Sequence, residues 1–185
     1  MTDGAQEALD YAIKDAEHAF RLLEFSIRTL NVIEAKTIDL SVFGQETTIL
    51  LDDENVTFSD GYFTSQENAE LSAKIAIGVS FAASAIALDN LFEATGRQRD
   101  PASNEEIDLL WTLVHAVRNA FAHGIAQPKW LVRPRYQRKI ELTLANKEIV
   151  IDLAALNEQE FAYEHIGGFA NWLSIKDCAF ALIRP

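Results

Sequence analysis

Apolar residues recur at three- and four-residue steps between residues 5 and 34, at Ala8, Leu9, Ala12, Ala16, Ala19, Phe20, Leu23, Ile27 and Leu30. That spacing gathers them on one face of a 3.6-residue helix and predicts a long amphipathic helix with a single core-facing stripe. The period then shortens to two. In TIDLSVF, Thr37 to Phe43, the residues Ile38, Leu40 and Val42 fall on one side, and TTILL follows Gly44, so the pattern predicts a small hairpin over 37–51. Residues 52–61 collect turn-forming types around Val56 and Phe58.

Helical spacing resumes at Thr64, where Thr64 and Glu67 have the spacing of a capping box, and it predicts a second helix to about Thr95, ended by Gly96. Its many small residues, among them Ala73, Gly78, Ala82 and Ala87, predict close packing of neighbouring helices. After Pro101, Ser103 and Glu106 repeat the capping spacing and predict a third helix reaching Gly124, with Pro128 preventing its continuation. RKIELTLANKEIVIDL then alternates, with Ile140, Leu142 and Leu144 before a turn at Asn146 and Ile149, Ile151 and Leu153 after it, which predicts a second hairpin over 138–153. From Asn157 the spacing is helical again, interrupted at Gly167 and Gly168, with Phe169, Trp172, Leu173, Ile175, Phe180 and Leu182 as expected core positions. The sum is a mainly α fold, a bundle of four to five helices with two small β-hairpins. A chain of 185 residues suits a single domain over 1–185, because that length buries roughly 70% of its unfolded surface.

Composition agrees with a folded chain, with 49% hydrophobic and 24% charged residues. Cys178 is the only cysteine, which rules out an intramolecular disulfide and fits the cytoplasm as the expected location. The first residues lack the basic start and apolar run of a signal peptide. The most apolar window, Ile75 to Leu88, is shorter than the ~20 residues that cross a bilayer, so a buried helix is expected and no membrane association.

Charge changes the picture in one place. The net charge of −12 argues against a polyanionic partner for the chain as a whole. Yet Leu109 to Ile140 contains no Asp or Glu and carries Arg118, Lys129, Arg133, Arg135, Arg138 and Lys139, a local charge of +6 that leaves −18 elsewhere.

The third helix opens that basic island. On a wheel at about 100° per residue, Leu110, Val114, Val117 and Phe121 cluster on one side with Leu113 at the edge. Trp111, His115, Arg118, Asn119, Ala122 and His123 lie opposite. Asn119 and His123 are four apart and Arg118 flanks them, so the three can reach a common ligand. The plain alternative is a solvated helix face, and His115 reads that way. Metal ligation is not expected, since His115 and His123 are eight apart with no HExxH pattern and no acidic cluster about them. No cofactor is expected. The run Lys129 to Lys139 reads either as a solvated loop or as a track for an RNA backbone along Lys129, Arg133, Arg135 and Arg138, with Trp130 and Tyr136 for base stacking.

RNAFAH, Arg118 to His123, resembles the motif of the HEPN superfamily of nucleotide-binding domains: an arginine, a polar residue, a short spacer and a histidine late in a helical bundle. The likeness covers roughly 104–128, with the two hairpins as additions to the simplest bundle. It implies a homodimer through the helix that carries Arg118 and His123. It further implies either a metal-independent endoribonuclease of toxin or defence systems, with an antitoxin as a further partner, or a non-catalytic RNA- or nucleotide-binding or dimerisation module. On the first implication Arg118, Asn119 and His123 are catalytic. Histidine suits proton transfer because it titrates near neutral pH, and arginine presents a permanently charged fork to phosphate oxygens.

Overall fold

A computed structural model describes residues 3–122, 124–144 and 147–184. Among the described residues, five α-helices and two antiparallel hairpins occur in the order α1 (Asp3–Glu34), β1 (Thr47–Leu51), β2 (Glu54–Phe58), α2 (Gln66–Ala94), α3 (Glu106–Phe121), β3 (Lys139–Leu144), β4 (Lys147–Asp152), α4 (Leu153–Leu156) and α5 (Phe169–Ile183). The mainly helical fold with two hairpins follows the periodicity. The chain packs as two compact units, Arg21–Ser80 and a larger one of Met1–Phe20 with Phe81–Pro185.

In the larger unit the first turns of α1 bury Leu9, Ala12, Ala16 and Phe20, the i, i+3, i+4 stripe of the sequence. Phe81 of α2 is fully buried and stands at the centre of an aromatic cluster, with ring centroids 5.3 Å from Phe121, 5.6 Å from Phe161, 5.0 Å from Tyr163 and 5.0 Å from Trp172. Each such ring pair adds about 0.5–1.5 kcal/mol to the area term. Trp172 also places its indole N–H on Ser84 Oγ at 2.9 Å, which removes the cost of a buried donor. Hairpin β3–β4 buries Ile140, Leu142, Ile149 and Ile151 on one face, as its alternation predicts. Its turn at Asn146 lies outside the described residues.

Several expectations need correction. Thr37–Phe43 is not a strand: the Asp39 carboxylate accepts from the Ser41 N–H, a side-chain alternative to strand pairing, and caps a 3₁₀ turn over Leu40–Gly44. The first hairpin therefore lies at 47–58, where Asp52 and Asp53 both adopt positive φ, at 48° and 67°, as a two-residue primed turn requires. Neither capping box forms. The Thr64 hydroxyl donates to Gly61 O, and Ser103 Oγ accepts from the Glu105 N–H, one residue before α3 begins. Leu173 and Leu182 are exposed, because the buried stripe of α5 runs through Trp172, Ile175 and Ala179. Helix α2, with 29 residues, is long and apolar enough by length and composition to cross a membrane, and 44% of its most apolar 18-residue stretch is buried.

In the smaller unit the end of α1 and the start of α2 enclose a cluster of Ile33, Ala69 and Ala73, with Leu30, Ile38 and Leu40 packed against it. Gln66 closes it by donating from Nε2 to Ile33 O at 2.7 Å. All five residues of β1 are exposed.

Candidate functional site at Asp89 and the third helix

Helix α3 has the two sides its wheel predicts. Leu110, Leu113, Val114 and Val117 are fully buried, and Arg118 falls in the last turn, where a cation opposes the helix dipole. Trp111 was expected among the polar residues, and it is buried too. Its ring stacks on Phe92 at 5.6 Å, and the Arg99 guanidinium lies 5.3 Å from its centre. What covers this end of the polar face is the chain itself.

Beneath that cover stands Asp89 of α2, with 3% of its side chain exposed. Trp111 Nε1 donates to Oδ1 at 2.9 Å, and His115 Nδ1 lies 3.0 Å from Oδ2. A carboxylate only accepts, so the Nδ1 nitrogen of His115 carries the hydrogen and Nε2 is the free position of that tautomer. Two guanidinium groups complete the surround: Arg99 Nη1 at 3.7 Å from Oδ1 and Arg118 Nε at 3.9 Å from Oδ2. A buried carboxylate is costly unless it is paired and hydrogen-bonded, and Asp89 is both.

Arg118 remains 42% exposed at the side chain, and its Nη1 donates to Asn119 Oδ1 at 3.0 Å. Asn119 thus accepts a hydrogen bond from the arginine beside it. His123 lies outside the described residues. The fork of Arg118 is hydrogen-bonded at Nη1 to Asn119, and at Nε it faces Asp89 at ion-pair distance.

Two cavities flank this face. One, of about 420 Å³, has Arg97, Arg99, Trp111, Arg135 and Tyr136 in its wall; the other, of about 400 Å³, has Asn119, Arg133, Gln137, Asn157 and Glu158. The basic run separates them. Lys129, Arg133 and Arg135 are exposed, with the Arg135 guanidinium 4.8 Å from the Tyr136 ring centre. Arg138 is turned inward: it donates to Pro101 O at 2.9 Å and Ser103 O at 2.7 Å and bonds Asn104. Trp130 is fully buried, gives its indole N–H to His165 Nδ1 at 3.0 Å, and packs on Phe161 at 5.2 Å, so neither face is open to a base. Tyr136 is likewise buried and accepts from Arg99 Nη2 at 2.8 Å. The segment is therefore a built part of the larger unit. It pairs through Trp130 N–H to Gln159 O and Glu158 N–H to Trp130 O.

A second buried acid braces the approach to α3. Burial acts to raise the Asp108 carboxyl, but hydrogen bonds from Arg97, Ser103 and the Asp100 N–H outweigh it and hold it below the ordinary carboxylate value. The same bond, with one to Glu105, raises Arg97 above its ordinary value.

Asp89 and Arg99 escaped the sequence reading. The signal for Asp89 was present, since it is the only charged residue between Lys74 and Glu93. Arg99 sits in a polar loop and carries no such mark. Among the described residues no group of three His, Cys, Asp or Glu side chains converges to hold a metal ion. No family model, curated protein or solved structure matches the chain.

Proposed function

We propose that this chain is a HEPN-like, metal-independent endoribonuclease. Arg118 binds and stabilises the scissile phosphate, Asn119 orients Arg118, and His123 transfers a proton as the ribose 2′-hydroxyl attacks phosphorus. The observation that carries this reading is the setting of a 42% exposed guanidinium: Arg118 is hydrogen-bonded at Nη1 to Asn119, and its Nε lies within ion-pair range, 3.9 Å, of a buried carboxylate. Preorganised charge of this kind stabilises a phosphorane-like transition state without reorganisation during the reaction. The exposed cations Lys129, Arg133 and Arg135 support it as contacts to the RNA backbone. The reading extends to a cytoplasmic homodimer formed through the end of α3, in a toxin or defence system with an antitoxin partner.

The second reading is a non-catalytic RNA- or nucleotide-binding or dimerisation module, favoured by the net charge of −12, which works against rapid turnover on a polyanion. Cleavage of single-stranded and structured RNA in EDTA separates the two. The nuclease reading expects cleavage leaving a cyclic phosphate end, reduced at least about 100-fold in both Arg118→Ala and His123→Ala. Binding without cleavage, weakened in Arg118→Ala, selects the module. Cleavage untouched by either substitution comes from a contaminant and removes the proposal.

A further inference from the structure

Transesterification moves two protons: the 2′-hydroxyl loses one and the departing 5′-oxygen gains one. These oxygens lie on opposite sides of phosphorus, so one imidazole cannot serve both at the same moment. His123 supplies one carrier. The structure holds another imidazole, that of His115, on the same Asp89 oxygen as Arg118. His115 stands four residues before Asn119, about 6 Å along the axis of α3, and His123 follows Asn119 by four residues in the sequence.

Four observations distinguish His115 from a solvated surface residue. Its Nδ1 is 3.0 Å from Oδ2 of Asp89, a carboxylate fixed in turn by Trp111 Nε1 at 2.9 Å. Its Nε2 makes no hydrogen bond to any described residue, while 18% of the side chain is exposed, so the ring is both anchored and reachable. The Tyr136 ring, 5.7 Å away and tilted against it, limits its rotation. And Arg118 Nε lies 3.9 Å from the same oxygen, which sets the imidazole and the phosphate-binding guanidinium side by side. A carboxylate, a histidine held in one tautomer by it, and a free Nε2 form the arrangement that activates a hydroxyl in hydrolases.

We infer that His115 is the general base of the cleavage reaction and Asp89 its positioning residue, an assignment that rests on the ribonuclease reading. Nε2 of His115 takes the proton of the 2′-hydroxyl as that oxygen forms its bond to phosphorus. The bond from phosphorus to the 5′-oxygen breaks and leaves its electron pair on that oxygen, which is protonated by His123. The products are a 2′,3′-cyclic phosphate and a 5′-hydroxyl. The imidazolium formed on His115 is stabilised by Asp89 of α2 and opposed by the guanidinium groups of Arg118 and Arg99, which pair with the same carboxylate, while the Tyr136 ring lies against it. It returns its proton to water.

The test uses the full chain in EDTA with two substrates: an RNA oligonucleotide, and uridine 3′-(p-nitrophenyl phosphate), whose leaving group departs without protonation. His115→Asn keeps a donor for Asp89 but has no base, and His115→Gln serves as a second variant should the first unfold in a thermal melt. Both are expected to lose about 10²- to 10⁴-fold on both substrates, and to lose the acid limb of the kcat/KM profile. His123→Gln is expected to lose comparably on RNA but to recover most of its rate on the nitrophenyl ester. Asp89→Asn is expected to lower kcat with little change in KM and to displace the acid limb, with Asp89→Glu restoring part of the loss. Full activity in the folded His115 variants while His123→Gln is inactive on RNA overturns the role of His115 and leaves the ribonuclease reading standing. Absence of cleavage of either substrate by the unmodified protein overturns both.

Discussion

Two buried carboxylates, Asp89 and Asp108, anchor the surroundings of α3, and they do so differently. Asp89 gathers an indole, an imidazole and two guanidinium groups, whereas Asp108 ties the loop before α3 to its first turn through Arg97 and the Asp100 N–H at 3.4 Å. Asp108→Asn leaves the shape but removes the charge that Arg97 answers, so a loss of about 1–3 kcal/mol at neutral pH is expected. The pH dependence has a definite sign. A carboxyl whose folded value lies below its ordinary 3.8 contributes stability above that value and loses it as pH falls through the folded one. Urea denaturation of the two proteins should therefore differ at pH 7, and the difference should shrink as the pH falls below the ordinary 3.8 and through the lower folded value. A difference that stays constant as the protein is acidified would mean that the charge is not what stabilises the loop.

At the scale of elements, periodicity carried most of the fold and local side-chain chemistry carried the exceptions. The α1 and β3–β4 patterns were legible because each buries one regular face, whereas α2 and α3 are buried on several sides and were legible from their helical spacing and length. Thr37–Phe43 misled because its alternation of Ile38, Leu40 and Val42 is also compatible with a 3₁₀ turn once Asp39 captures the Ser41 N–H. The polar side of α3 was legible to the extent of Arg118 and Asn119, but its cover was not. Arg99 meets Trp111 across 12 residues of chain and Tyr136 across 37, and single-sequence spacing has no access to such pairings. The glycine pair before α5 was read only as an interruption, and its role is stricter. Gly167 adopts φ 79°, and a Cβ there would fall 1.9 Å from Asn171 Nδ2, inside the first turn of α5. Gly167→Ala must both strain the backbone and displace Asn171, at a cost of roughly 1–3 kcal/mol. Gly4→Ala, where a Cβ meets nothing within 4 Å, is the matched control and should melt within a degree or two of the parent protein. Equal melting temperatures for all three proteins would show that the turn relaxes freely.

For the molecule as a whole, the question is how a chain of net charge −12 would hold a polyanion at all. The six cations between Leu109 and Ile140 do not act alike. Arg118 is engaged with Asp89 and Asn119, Arg138 with loop carbonyls and Asn104, and Lys139 with Glu141 at 2.9 Å. Lys129, Arg133 and Arg135 are exposed, and with the part-exposed Arg118 they are the cations that the proposed function would set against RNA. The acidic remainder is damped beyond a Debye length of about 8 Å at physiological salt, so binding depends on what lies within that distance of the RNA. With one phosphate on Arg118 and three on Lys129, Arg133 and Arg135, neutralised at about 0.7 counterions each, the logarithm of single-stranded RNA affinity should fall with the logarithm of salt at a slope near −3. Lys129→Gln, Arg133→Gln and Arg135→Gln should each flatten that slope by about 0.7, while Arg138→Gln should lower the melting temperature and leave the slope unchanged. Fluorescence anisotropy across a salt series reads both quantities. A parent slope steeper than about −4, or one flattened by Arg138→Gln alone, would place the RNA on a different surface from the one formed by these three residues.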